Sequence, residues 1–246
     1  MKIQVVSDLH VNSQPDWGRS LLKSIMTPQM DLLIIAGDLG EVIHPSWEQA
    51  LIELTTYYPY VLLVLGNREY YNSTPEIVQQ MTSKLQKELP NLYILENQTI
   101  TLEGVRFAGT TLWFNDTSKT DEYEKSINNS EINNSFDVWV YQRNQAARKF
   151  LADLNVDIII THYLPSPKSI SQEYQNHPRN YLFVSDVEDI IHKIQPLYWL
   201  HGHTHSQCAY KIGRTQVIAN PHGYPQEASN HGFVRHLCLS ISHSIV

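Results

Sequence analysis

The chain has 246 residues, 42% of them hydrophobic, and its 18 Lys and Arg against 25 Asp and Glu give a formal net charge of −7. That length suits one large α/β domain or two small ones, and the composition is globular rather than disordered. The mild acidity (pI ≈ 5.9) argues against a nonspecific nucleic-acid or anionic-membrane binder. No apolar run approaches the roughly 20 residues that a bilayer span needs. Cys208 and Cys238 are the only cysteines, which excludes a disulfide scaffold and predicts two free, buried thiols in a reducing compartment. The opening Lys2-Ile3-Gln4-Val5-Val6 is too short for the apolar core of a signal peptide, so a cytoplasmic location is expected.

Five apolar runs read as strands: Ile3–Val6, Leu32–Ala36, Val61–Leu65, Asp157–Ile160 and Leu197–Leu200. Most are rich in Ile, Val and Leu without polar alternation, the mark of strands covered on both faces. Helical segments are predicted between the first three and after the third, over 17–26, 45–57 and 75–88. Pro45 and Pro75 sit where a first helical turn accepts proline, and Thr74 is placed to cap the third helix. Strand, helix, strand in succession implies βαβ units and a mainly parallel sheet. After Pro90 the runs shorten, at 92–95, 98–102 and 105–110, with Gly104 as a hairpin turn. A helix over about 136–153 comes next, with Phe136, Val140, Ala147, Phe150, Leu151 and Leu154 at helical spacing. The tail adds short β-like runs at Cys208–Ile212, Gln216–Ala219 and Phe233–Ser240. This reading makes a parallel half followed by an antiparallel-rich half in one domain. The polar, Asn- and Ser-rich stretch over about 115–135 is expected to be a surface loop or a lid.

The chemistry lies in the residues at the carboxyl end of each apolar run. The first run leads into Asp8-Leu9-His10, the second into Gly37-Asp38 and the third into Gly66-Asn67-Arg68-Glu69. The fourth leads into Thr161-His162, and the fifth into His201-Gly202-His203-Thr204-His205. In open α/β sheets ligands gather at the carboxyl ends of the strands, so these groups are expected to converge. Taken singly, each is an ordinary turn residue or a satisfied core histidine. Imidazole and carboxylate without thiolate suit Mn, Fe, Zn or Ni rather than a Cys-built structural zinc site. Seven donors are too many for one ion and fit two divalent ions about 3.5–4 Å apart sharing a carboxylate, as in phosphoryl transfer. Two such ions with Asp8, Asp38 and a bridging hydroxide leave about +1, suited to an anionic substrate.

The ordered set D-x-H, G-D, G-N-x-E, H and G-H-x-H resembles the calcineurin-like metallophosphoesterases over nearly the whole chain. Pro165-Ser166-Pro167-Lys168-Ser169-Ile170 and Asn220-Pro221-His222-Gly223-Tyr224-Pro225 are similar to segments of the small bacterial members. The resemblance implies an α/β fold of two mixed sheets in a β-sandwich flanked by helices. It also implies metal-dependent hydrolysis of a phosphomonoester or phosphodiester by a metal-bridging hydroxide, without a covalent enzyme intermediate. By the same resemblance Asp8, His10, Asp38 and His205 would hold one ion and Asp38, Asn67, His162 and His203 the other, with Asp38 bridging. Charge and size favour a small phosphorylated or nucleotide substrate over DNA, with no membrane involved.

The family pattern G-N-H-E or G-N-H-D is here Gly66-Asn67-Arg68-Glu69. That histidine is generally the acid protonating the leaving oxygen, or a stabiliser of the transition state. A guanidinium keeps its proton at working pH and cannot donate it, although it binds a phosphate oxygen well. Where small bacterial members carry arginine in N-P-R-G-Y, this chain has His222. A reciprocal exchange is therefore expected, Arg68 binding phosphate and His222 supplying the imidazole. The alternative is a catalytically impaired metal- or phosphate-binding module. Glu69 is expected to support the Asn67 loop, His201 to be structural, and Lys168 and Arg179 to be candidates for substrate contact. Tyr70 and Tyr71 are expected to pack rather than to stack on a base.

Overall fold

Four strands with no polar alternation need cover on both sides, and the fold provides it in layers. The computed structural model describes residues 1–114, 134–227 and 232–241, with their side chains except at 134–137. Strands β1 (Lys2–Val6), β2 (Leu32–Ala36), β3 (Tyr60–Val64) and β4 (Leu92–Ile94) pair in parallel in that order. Strand β11 (Cys238–Ser240) adds antiparallel to the free edge of β1. The second sheet runs β5 (Gln98–Leu102), β6 (Val105–Thr110), β7 (Ile158–Thr161), β8 (Tyr198–His201), β10 (Thr215–Ala219), β9 (Cys208–Ile212). Its two edge pairs are antiparallel hairpins and its three inner pairs are parallel.

Alternate residues of each strand point into different cores. Ile3, Val5, Leu32, Ile34, Leu62 and Val64 meet Phe107, Ile158, Ile160, Leu200 and Ile218 between the sheets. Val6, Leu33, Ile35, Val61 and Leu63 pack beneath α1 (Arg19–Ile25), α2 (Pro45–Tyr57) and α3 (Pro75–Glu88), through Leu22, Trp47, Leu51, Leu54, Val78 and Leu85. On the far side Ala108, Ile159, Trp199 and Val217 are covered by α4 (Asn134–Leu151) and α5 (Glu188–Ile194), through Ala147, Leu151, Ile190 and Ile191. Each fully buried aliphatic side chain here contributes about 1.5–3 kcal/mol of transfer free energy. The result is a helix–sheet–sheet–helix sandwich with mixed sheets.

Helices α2 and α3 and strand β2 have the bounds read from the sequence, and Thr74 caps α3 by accepting the Ile77 N–H. The segment 17–26 is shorter: a 3-10 turn over Pro15–Gly18, with Asp16 and Trp17 both left-handed, precedes α1. Glu103 (φ 48°) and Gly104 (φ 80°) make the β5–β6 turn, a geometry whose positive φ at both positions suits the strand twist and favours glycine.

The expected antiparallel-rich second half is corrected. Strand β4 belongs to the first sheet in parallel register, and the inner strands of the second sheet are parallel because crossovers, not hairpins, connect them. The thiols are free, but Cys208 is half-buried and Cys238, on an edge strand, is exposed. Most of the polar stretch at 115–135 lies outside the described residues, as does the Phe136 side chain. Among the described residues no helix is long and apolar enough to cross a membrane.

Candidate metal centre

Every parallel strand that ends in Asp, Asn or His brings that residue to one edge of the sandwich. Sheet one supplies Asp8 and His10 after β1, Asp38 after β2 and Asn67 after β3; sheet two supplies His162 after β7 and His203 and His205 after β8. Five of the seven sit in left-handed backbone without being glycine: Asp8 (φ 53°), His10 (φ 44°), Asp38 (φ 55°), His203 (φ 65°) and His205 (φ 50°). Such residues cost about 1–3 kcal/mol each and persist only where their surroundings over-determine them.

Two donor clusters form, Asp8, His10, Asp38 and His205 in one, and Asp38, His162 and His203 in the other. Asp38 belongs to both. Its Oδ1 lies 3.4 Å from His162 Nε2 and its Oδ2 4.0 Å from His10 Nε2. His10 Nε2 and His205 Nε2 are 3.0 Å apart, His205 Nε2 is 3.5 Å from Asp8 Oδ1, and His162 Nε2 is 3.1 Å from Asn67 Oδ1. These separations are edges of a coordination shell: donors about 2.1 Å from one cation stand about 3.0 Å apart at right angles and about 3.4 Å apart at the tetrahedral angle.

Proton placement points the same way. His162 Nδ1 lies 3.0 Å from the Ala36 carbonyl, which can only accept, and His205 Nδ1 lies 2.8 Å from Glu227 Oε2. Both rings therefore carry their proton on Nδ1 and turn an Nε2 lone pair inward. Burial lowers the pKa of His10, His162 and His203, with neighbouring imidazoles adding to the shift at His10 and His203. Burial also works to lower His205, but the Glu227 carboxylate, with Asp8 and Asp38, raises it overall. Burial raises Asp8 and pushes Asp38 up to about 6. Neutral imidazoles at His10, His162 and His203, with carboxylates short of counter-charge, are the donor state that a divalent cation completes.

Glu69 braces the centre. Its carboxylate accepts the N–H groups of Gly66 (2.7 Å), Leu39 (2.8 Å), Asp38 (3.2 Å) and Gly40 (3.4 Å), and the Trp47 indole N–H (3.4 Å). It thereby ties the Asp38 loop to the Asn67 loop; burial and then the Asp38 charge push its pKa up to about 7. Gly37 (φ 87°) lies under His162, where a Cβ would come within 2.2 Å of Nδ1, so only glycine leaves that ring its seat.

A cavity of about 440 Å³ opens over the donors. Tyr71, Tyr224, Glu227, Leu164, Ile170, Tyr174, Phe183, His177 and Arg179 are among its walls. Arg179 therefore faces the site, whereas Lys168 turns to Glu188 at 2.8 Å. Tyr70 packs against Trp113 and Trp139, and Tyr71 flanks the site beneath Arg68. Tyr224 stacks on His10 at 4.3 Å and was read only as part of a family-like segment, without a role; Glu227 lies beyond that segment and escaped the sequence reading. The Ser7 hydroxyl, directly after the first apolar run, donates to Asp8 Oδ2 at 2.5 Å, a partnership that residue type alone does not mark.

Arg68 and His222 each have partners of their own among the described residues. The Arg68 guanidinium stacks on Tyr71 at 4.3 Å and pairs with Glu41 at 3.2 Å, while its backbone N–H donates to Asp38 Oδ1. The His222 ring packs edge-on against Phe233, with Nδ1 at the Gly223 carbonyl. Neither lines the cavity, and among the described residues no contact joins them. The His222 backbone N–H donates to the Ser7 carbonyl, and its ring lies beside Gln14 and Phe233.

The sequence profile of the calcineurin-like phosphoesterase family matches residues 1–207. An uncharacterized protein of Acanthamoeba polyphaga mimivirus, L509, is 27% identical over 268 residues, covering 93% of each chain. Among solved structures, the phosphopantetheinyl hydrolase PptH of Mycobacterium tuberculosis superposes with a TM-score of 0.70 at 18% identity, covering 92% of this chain and 90% of that one. The protein TT1561 of Thermus thermophilus superposes with a TM-score of 0.57 at 15% identity, covering 89% and 88%. The chain belongs to the calcineurin-like phosphoesterase family.

Proposed function

We propose that the chain is a two-metal phosphoester hydrolase acting on a small-molecule ester. The observation that carries this reading is Asp38, the one carboxylate shared by both donor clusters. When bound, divalent cations supply Lewis-acid polarisation of phosphate oxygens and a nucleophile from water at neutral pH. The chain's own groups do the rest. The Ala36 carbonyl and Glu227 hold the protons of His162 and His205 on Nδ1. Tyr224 covers His10, and Phe183 and Tyr163 flank His203 at 4.7 and 4.3 Å, which holds these rings in place. Arg179, on the outer wall beside Tyr174 and Phe183, supplies positive charge toward an anionic ester whose leaving group lies along that aromatic wall.

Assays of bis-p-nitrophenyl phosphate, p-nitrophenyl phosphate and a phosphopantetheine ester, the last suggested by the name of the mycobacterial neighbour, test the reading. Turnover is expected with Mn²⁺, abolished by chelation and restored by Mn²⁺. No turnover with Mn²⁺, Fe²⁺, Zn²⁺ or Ni²⁺ supports the second reading, a binding module, which the Glu41-paired Arg68 favours. The two are also separated by Arg68→His. On alkyl phosphoesters, whose leaving oxygen needs a proton, this change is expected to raise the rate by about 10²-fold. On p-nitrophenyl esters, whose leaving group departs as the anion, little change is expected. Equal changes on both classes would rule out a missing proton donor.

A further inference from the structure

Behind the metal centre, on the sheet-two side, lies a line of polar groups that no step of the proposed hydrolysis uses. Tyr210 Oη is 2.6 Å from Ser169 Oγ, and Ser169 Oγ is 2.8 Å from His201 Nε2. His201 Nδ1 is 2.9 Å from the Gly202 carbonyl. Ser169 and His201 are fully buried. Chemistry leaves one proton arrangement. A carbonyl oxygen only accepts, so His201 carries its proton on Nδ1 and its Nε2 is an acceptor. Ser169 must then give its one hydroxyl proton to Nε2, and its oxygen must receive from Tyr210. The Cys208 thiol, 3.7 Å from the same Nε2, is a second and weaker donor. All the protons run toward Gly202.

Gly202 heads the segment that needs such control. The two metal-ligand candidates after it, His203 and His205, both have left-handed backbone. The Gly202 carbonyl also accepts the Thr204 N–H at 2.8 Å, and its own N–H reaches the His162 carbonyl at 3.0 Å. Ser169 holds the segment a second time, since its carbonyl accepts the Thr204 hydroxyl at 3.2 Å. His203 N–H completes the seat on both oxygens of Asp8, at 3.1 Å each. We propose that Ser169, oriented by Tyr210, is a positioning residue of the metal centre: by donating to His201 it fixes the proton on Nδ1 and pins the Gly202 carbonyl from which His203 and His205 are hung.

The proposal rests on the reading of His203 and His205 as metal ligands, and its test separates the two. The His201 ring is read by ¹⁵N NMR on the metal-free full chain, where Nδ1 protonation is expected in the unaltered protein. In Ser169→Ala the Nε2 resonance is expected to lose its hydrogen-bonded shift. Mn²⁺ affinity is then expected to fall by about tenfold, the usual effect of removing an outer partner of a ligand shell. Tyr210→Phe, at a half-buried position, removes only the outermost donor and is expected to give the same changes at smaller size; it keeps the test open should Ser169→Ala fold poorly. Ser169→Thr, which keeps the hydroxyl, is expected to restore affinity toward that of the unaltered protein. A purely structural role would lower the denaturation midpoint and leave Mn²⁺ affinity unchanged in the folded fraction of both loss variants, and that result overturns the proposal. So does Nε2 protonation of His201 in the unaltered chain. If the unaltered chain binds no divalent cation, the metal-centre reading fails and takes the proposal with it. That failure is recognisable because the tautomer is measured without metal.

Discussion

Asp38→Asn is expected to reduce hydrolysis by at least about 10³-fold, equivalent to about 4 kcal/mol of transition-state stabilisation, and at the same time to stabilise the metal-free protein. The first effect follows from geometry, since Asp38 is the member common to both donor clusters. The second follows from burial, which raises its pKa to about 6. The folded, metal-free chain therefore binds that proton more tightly than the unfolded chain does. The stability so gained is full below the ordinary carboxylate range and is lost as pH rises through about 6. Asparagine does not titrate. The advantage of the variant over the unaltered protein in chelator should thus be small near pH 4, grow through about pH 6 and level off above it. Its size should reach about 2–3 kcal/mol. Adding Mn²⁺ should reverse the order, because a ligand bound only by the folded state stabilises by mass action. Denaturant midpoints at a series of pH values, with chelator and with Mn²⁺, decide it. A variant less stable than the unaltered chain in chelator at pH 7 would sink the electrostatic account.

Glu69→Ala should destabilise more than any surface change, by on the order of 4 kcal/mol, because four backbone N–H groups and the Trp47 indole lose their common acceptor inside the fold. For a chain of this length that is a drop in Tm of about 8–16 °C. Glu69→Gln keeps one acceptor oxygen and turns an amide N–H₂ toward the remaining donors, so an intermediate loss is expected. The damage should also reach the metal centre, since the carboxylate fastens the Asp38 loop to the Asn67 loop. Thermal unfolding of the two variants, followed with and without Mn²⁺, measures both effects. A Glu69→Ala protein that melts within about 2 °C of the unaltered one would show that water replaces the carboxylate.

What could be read in the chain beforehand was whatever a strand end announces. The ligand candidates come directly after apolar runs, and a run buried on both faces keeps its composition wherever its partner strand lies. Asp38 and His203 were legible for that reason, as were the bounds of α2 and α3, which proline and a Thr cap mark locally. Pairing was not legible. Strand β4 reads as part of an antiparallel-rich half, yet it joins β3 in parallel, because only the fold decides which edge a short apolar run completes. Partners outside the motifs were equally hidden. Glu227 reaches His205 from beyond β10, and Glu41 claims the Arg68 guanidinium across 27 residues. Residue type alone suggested an exchange between Arg68 and His222; the neighbours each has in the fold, Glu41 and Tyr71 for one and Gln14 and Phe233 for the other, could not be read from it.

The centre is assembled from both layers of the sandwich, four of its donors following strands of one sheet and three following strands of the other. Between those layers the rest of the contact is greasy and non-directional, a kind of joint that tolerates slip. A cation held by the proposed centre would have no such tolerance: it would work as a rivet at one end of the seam, so that filling the centre and locking the two leaves of the fold in alignment would be a single event.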